Sequence, residues 1–235
     1  MNRQTALIVG VGPGLGAALV RRCLAQDMNV VAAARHASRL TGLASGDDVA
    51  RLRLHDTDAT SPQAVETLFG DCETTFGLPD LVVFNAGAFQ QGSVADTDPA
   101  EFERCWRVGC LGGLLVGQAA ARRMTVRGSG SIVFTGATAS LRGGAGFVNL
   151  ASPKFALRAL AQSLAREAGP QGVHVAHVVI DGQIRSSRYE EPGQQRGPDA
   201  LLEPDAIADA YLWLHGQHRS AWTFELDLRP WVERF

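Results

Sequence analysis

Short apolar runs recur along the chain at Ala6–Val9, Val30–Ala34, Leu81–Phe84, Ile132–Phe134 and Val173–Ile180. Each is continuous rather than alternating, the pattern of a parallel strand covered on both faces. Helix-sized segments separate them. Ala17–Leu24 has helical composition. Ser61-Pro62 predicts a helix start, with Ser as N-cap and Pro at the first helical position. Asp98-Pro99 predicts another, with Glu101 placed to close a capping box. Glu203-Pro204 opens a late helix that runs through Leu214. Strands alternating with helices predict an α/β fold, a single doubly wound parallel sheet. No linker, repeat or low-complexity tract interrupts the chain between Thr5 and Leu228, so residues 1–235 read as one domain. Glu190–Asp199, rich in Gly, Pro and Gln, reads as a mobile loop.

Composition narrows the function classes. The chain has 235 residues, 46% hydrophobic and 20% charged, which is globular and long enough for a large core without disulfides or metal. With 22 basic against 24 acidic residues, the net charge of −2 provides no polycationic surface for nucleic acid or anionic lipid. No apolar run has the roughly 18 residues of a membrane span. Residues 1–5 lead directly into an apolar strand without the layout of a signal peptide, so a cytoplasmic protein is expected. Cys23, Cys72, Cys105 and Cys110 form no CxxC pair, which argues against a disulfide framework or a zinc site. His174 and His177 lie three apart in a strand and face opposite ways. His215 and His218 sit near a helix end with no further ligand in reach. No metal is expected. Gly128-Ser129-Gly130 precedes a strand rather than a helix, so it reads as a turn and not a nucleophile elbow.

The first apolar run is followed by Gly10, Gly12, Gly14 and Gly16, with Leu15 where the general GxGxxG pattern needs glycine. A glycine turn between a strand and a helix lets a pyrophosphate approach the backbone, and the helix presents free N–H groups and its positive end. The second apolar run ends at Ala34-Arg35-His36, with Arg39 one helical turn on. The carboxylate that would hold a ribose 2′-hydroxyl is absent and a guanidinium suited to a 2′-phosphate is present, so NADP(H) is favoured over NAD(H).

These residues resemble the short-chain dehydrogenase/reductase family over nearly the whole chain. Gly10–Gly16 is similar to its glycine motif. Asp58, after the third strand, matches the Asp that holds the adenine ring. Phe84-Asn85-Ala86-Gly87 resembles NNAG, with Phe84 for the first Asn. Asp181-Gly182-Gln183-Ile184 and Ser186 resemble the PG-x-I-x-T that lies beside the nicotinamide, with Asp181 for Pro and Ser186 for Thr. The resemblance implies a Rossmann-type NAD(P)-binding domain, a small-molecule substrate and a homodimer or homotetramer. It also implies that the last strand and two long helices make subunit contacts, to which Trp222, Phe224, Leu226, Trp231 and Phe235 would contribute.

The catalytic positions carry over only in part. The family uses a Tyr and a Lys four apart on one helix face. Here the Lys is Lys154 and the Tyr position holds Leu150. The family's Ser falls on Ala137, beside Thr138, and its Asn on Gly109. Leucine exchanges no proton, and a lost general acid typically costs about 10²–10⁴ in rate. Lys154 is the sole lysine of the chain. An ammonium kept among so many guanidinium groups points to a site that needs one, on the nicotinamide ribose. Thr138, Asn149, Tyr189 and a water held by Lys154 are the candidates to replace the tyrosine. Three functions remain open: an NADP(H)-dependent oxidoreductase acting on a carbonyl or alcohol with an atypical proton donor, a non-catalytic cofactor-binding regulator or partner, and a non-redox isomerase or lyase.

Overall fold

The computed structural model describes residues 3–186, 189 and 195–233. Its strands are β1 (Thr5–Val9), β2 (Asn29–Ala34), β3 (Leu52–Asp56), β4 (Leu81–Phe84), β5 (Ser131–Thr135), β6 (His174–Ile180) and β7 (Glu225–Leu228). They form one parallel sheet in the order β3-β2-β1-β4-β5-β6-β7. The chain winds outward from β1 to β3, crosses back to β4, and winds outward again to β7. The reversal leaves a crevice beyond the carboxyl ends of β1 and β4, where ligands of such sheets bind.

Both faces of the sheet are covered, which accounts for the continuous apolar runs. Helices α1 (Leu15–Ala25) and α6 (Pro204–His215) pack with Ala6, Ile8, Val83 and Val178 on one face. Helices α2 (Pro62–Phe76), α4 (Gly112–Arg127) and α5 (Val148–Ala168) pack with Leu7, Val9, Phe84 and Phe134 on the other. Alternate residues of each strand thus feed two separate cores. Small residues let α4 approach closely: a Cβ on Gly113 would lie 2.4 Å from Leu157.

Helix starts follow the sequence in part. Ser61 Oγ accepts from the Ala64 amide at 3.3 Å with Pro62 behind it. Helix α3 (Pro99–Trp106) is capped by Asp98, which accepts from Ala100 at 2.9 Å. The expected capping box does not close. Glu101 turns along the helix to Arg104 at 2.9 Å, where an ion pair wins over the backbone amide. Between α3 and α4, Arg107–Leu111 adopts a π-helical turn that no local pattern announced.

The edge strand β3 is half exposed and lacks the apolar run of its neighbours. The chain end is partly self-packing. Phe224, Leu226 and Leu228 lie against the cores, and Trp222 stacks on His174 with ring centroids 5.0 Å apart. Trp231 is 76% exposed, and Phe235 lies outside the described residues. So do residues 190–194 of the anticipated mobile loop. All four cysteines are buried and unpaired. Among the described residues no helix is long and apolar enough to cross a membrane, and no group of three His, Cys, Asp or Glu could hold a metal.

Candidate functional site

The crevice is built on the glycine turn, and its glycines answer two different demands. Gly10 has φ +96°, and a Cβ there would lie 2.3 Å from the Ala86 amide nitrogen. A Cβ on Gly16 would lie 2.6 Å from Val11 Cα. These two glycines permit close packing of the fold itself. Gly12 and Gly14 differ: a Cβ at either meets nothing within 4 Å and would project into open space. The start of α1 has no side-chain cap and no acidic residue in its first turn. Its leading N–H groups and dipole end therefore face an open cradle, which suits an anion.

Two lobes meet at this cradle. One, of about 260 Å³, is bordered by Gly10, Gly12, Arg35, Asp58, Thr60 and Arg104, with Asn85, Ala86 and Gly87 on its floor. The Asn85 side chain donates to the Gly10 carbonyl at 2.9 Å and ties the glycine turn to β4. Asp58 accepts from the Thr60 amide at 2.9 Å and its hydroxyl at 2.8 Å. Those bonds, with Arg35 and Arg107 nearby, hold its carboxyl below the usual range. The other lobe, of about 420 Å³, is bordered by Gly12, Gly14, Leu15 and Gly16 on one side and Gly182, Ile184, Ser186 and Tyr189 on the other. Gly182 packs so closely that a Cβ would lie 2.8 Å from Pro230. The pairing of Ile184 with Leu202 holds the segment after β6 in place.

Lys154 lies on the inner face of α5, buried, and its ammonium donates to the Thr135 carbonyl at 2.5 Å. Burial pushes its pKa down to about 8. Leu150 sits one turn earlier on the same helix and is half-buried. Asn149, next to it, is buried and spends its amide on the Gln90 carbonyl at 3.1 Å. Gly109 falls within the π-helical turn, where a Cβ would lie 2.9 Å from Pro153 Cβ. An asparagine there would collide with the residue beside Lys154. Ser140 is fully buried, and its hydroxyl accepts from the Ala137 amide at 3.1 Å.

Thr138 does not stand alone. Its hydroxyl donates to Asp181 Oδ1 at 2.5 Å, and Asp181 Oδ2 lies 3.4 Å from Arg229. This contact has no local signal in the sequence, because it follows from the register of two strands. Thr135 pairs with Val178 in the β5–β6 register, and each partner of the contact lies three residues further on. The structure thus brings the glycine turn, Arg35, Asp58 and Asn85–Gly87 to one cleft. Gly182, Ile184 and Ser186 close its other end. Lys154, Thr138 and Asp181 gather at the carboxyl ends of β5 and β6. Arg104 and Thr60 join the first lobe, a placement set by tertiary packing of α3 and the β3–α2 turn.

A family model described as short chain dehydrogenase matches residues 4–191, and the chain belongs to that family. It is similar to an "uncharacterized oxidoreductase" of Staphylococcus aureus (strain USA300), 25% identical over 233 residues that span 98% of each chain. Among solved structures it is similar to a short-chain dehydrogenase from Rhodopseudomonas palustris. That chain is 35% identical, with a TM-score of 0.83 over 97% of this chain and 99% of the other. ElxO, solved with NADP bound, shares the fold at 20% identity and a TM-score of 0.86 over 96% of each chain.

Proposed function

We propose that the protein is an NADP(H)-dependent oxidoreductase that interconverts a carbonyl and an alcohol on a small molecule, with an atypical proton donor. The observation that carries this reading is the cleft itself: an open glycine cradle at an uncapped helix N-terminus, continuous with a lobe that holds Arg35. A dinucleotide fits that shape. Gly12, Gly14, Leu15 and Gly16 would take its pyrophosphate, Gly10 shaping the turn. Arg35 would take a 2′-phosphate, and Asp58 with Asn85, Ala86 and Gly87 would line the adenosine. Lys154 would hold the nicotinamide ribose, with Asp181, Gly182, Ile184 and Ser186 flanking the ring. The nicotinamide supplies the hydride chemistry. ElxO, of the same fold, is a relative solved with NADP bound, which agrees with this reading.

The residues of this chain orient the substrate and handle its proton. Leu150 stands where the family carries tyrosine, and it offers no proton. Ala137 and Gly109 leave the other two positions without side-chain chemistry. That loss supports a second reading, a cofactor-binding protein without turnover. The family resemblance also leads us to propose a homodimer or homotetramer built on α4 and α5, whose outer groove of about 360 Å³ is bordered by Leu114, Gln118, Leu160 and Leu164.

Calorimetric titration with NADPH and NADH is the direct test. NADPH is expected to bind more tightly. Tighter NADH would remove the role given to Arg35, and binding of neither would end both readings. Binding of NADPH without reduction of any carbonyl would favour the second.

A further inference from the structure

A carbonyl–alcohol interconversion needs a proton carrier, and Leu150 cannot be one. We propose that Thr138 and Asp181 form a two-member proton relay in its place, an inference that rests on the redox reading above.

The geometry is specific. Asp181 directly follows β6, a strand whose every residue is buried. A carboxylate at that depth is costly unless paired and hydrogen-bonded. It has two partners: the Thr138 hydroxyl at 2.5 Å on Oδ1 and Arg229 at 3.4 Å on Oδ2. Its own amide donates to Leu228 at 2.8 Å, which fixes the backbone. The O–H···O distance is that of a charge-assisted bond. A threonine hydroxyl has one proton, and here Asp181 takes it. Towards a ligand Thr138 therefore presents lone pairs and accepts from a substrate hydroxyl. Thr138 is the more exposed of the two and Asp181 is 8% exposed, so the relay runs from ligand to threonine to carboxylate.

A lone threonine is a poor acid and a poor base. As a bridge it need be neither, because it gains one proton as it gives up another. In alcohol oxidation the substrate O–H bond breaks and its proton joins Thr138 Oγ1. The proton of Thr138 passes to Asp181 Oδ1. The O–H electron pair closes the carbonyl, and the hydride leaves the carbon for an oxidised nicotinamide. Asp181, whose side chain keeps 11% exposure, then loses that proton to water; carbonyl reduction runs the same transfers backwards, starting from an Asp181 that has taken a proton from water. Thr138 is the catalytic residue. Asp181 acts through it as a positioning residue and terminal proton acceptor.

Asp181 could instead serve only to pin Arg229, and the test separates the two roles. NADPH-dependent reduction of acetophenone, 1-phenyl-1,2-propanedione and cyclohexanone is measured for the wild type, Asp181→Asn, Thr138→Val, Thr138→Ser and the double variant Asp181→Asn/Thr138→Val. Asparagine keeps the size and the acceptor oxygen but takes no proton. Valine removes the bridge and leaves the Asp181–Arg229 pair intact. Each of these two single variants is expected to lose about 100-fold or more in kcat, as for other general acids. The double variant should lose no more than either, since the two act as one unit. Thr138→Ser should retain most of the rate. NADPH affinity should stay within about twofold in Thr138→Val and Thr138→Ser, and the kcat of every variant is read at saturating NADPH. Loss in Asp181→Asn alone, with Thr138→Val unaffected, would mean a structural role and overturn the relay. Full activity in both would do the same. A wild type that binds NADPH yet reduces none of the three probes removes the redox reading, and the relay with it. Independently of turnover, the Thr138 hydroxyl proton should be protected from solvent exchange in the NMR spectrum of the free protein. A rapidly exchanging hydroxyl would show that the pair is not formed.

Discussion

At the scale of single residues, the glycine turn separates folding from binding. Gly10 has no room for a Cβ against the Ala86 backbone, whereas Gly12 has nothing within 4 Å. Gly10→Ala is therefore expected to destabilise the protein by about 1–3 kcal/mol, the usual cost of overpacking, with a further penalty from its positive φ. Gly12→Ala should unfold in urea at nearly the wild-type midpoint yet bind NADPH at least tenfold more weakly. A Gly12→Ala variant with unchanged affinity would mean that the cradle is not where the dinucleotide lies. Lys154 shows the converse, a residue held at a cost. Its folded pKa of about 8 lies below the ordinary 10.5. Between those values the unfolded chain binds more protons than the folded one, so stability rises with pH there. Below pH 8 the full penalty applies, about 3 kcal/mol at about 1.4 kcal/mol per unit. Lys154→Met is expected to be more stable than the wild type at pH 7, to lose that advantage by pH 10, and to bind NADPH more weakly. Urea unfolding at the two pH values measures the first two effects. An equal or lower stability at pH 7 would show that the ammonium is not buried at a cost.

At the scale of elements, local chemistry predicted what local chemistry decides. Ser61 and Asp98 cap their helices as their sequences suggest. Replacing either by alanine should cost about 1 kcal/mol, the typical value of an N-cap. Glu101 lies in the right place for a capping box but faces Arg104, so Glu101→Ala should cost only a few tenths of a kcal/mol, as exposed helix pairs do. A loss equal to that of Asp98→Ala would show that the box forms in solution. The buried strands β1, β2, β4, β5 and β6 were legible as apolar runs because they are covered on both faces. Edge strand β3 is exposed enough to read as ordinary polar chain. The π-helical turn at Arg107–Leu111 had no local signal; within it Gly109 packs against Pro153 of α5, a contact between segments far apart in sequence. Thr138 could be singled out as a polar group near the catalytic position, but its bond to Asp181 depends on the register of two strands far apart in sequence.

At the scale of the whole molecule, ligand preference should be readable as stability. The sheet order reverses at β1 and β4, and the cleft there draws its walls from the β1–α1 turn, the end of β2, the β3–α2 turn, the end of β4 and the segment after β6. A ligand that bridges these segments binds only the folded chain. At a concentration of 100 times Kd it should add about 2.7 kcal/mol. For a chain of this length that corresponds to a rise of roughly 5–10 °C in Tm. NADH at the same concentration should raise Tm less, because a single charge-assisted bond from a guanidinium to the 2′-phosphate is worth about 1.5–3 kcal/mol. Arg35 borders the lobe where that phosphate would lie, next to Asp58, whose own charge repels it. Arg35→Ala should therefore bring the NADPH shift down to the NADH shift and leave the NADH shift where it was. If the gap survives in Arg35→Ala, the preference comes from another cation of the same lobe. Arg104 borders it as well, and the same thermal titration of Arg104→Ala would then decide between the two.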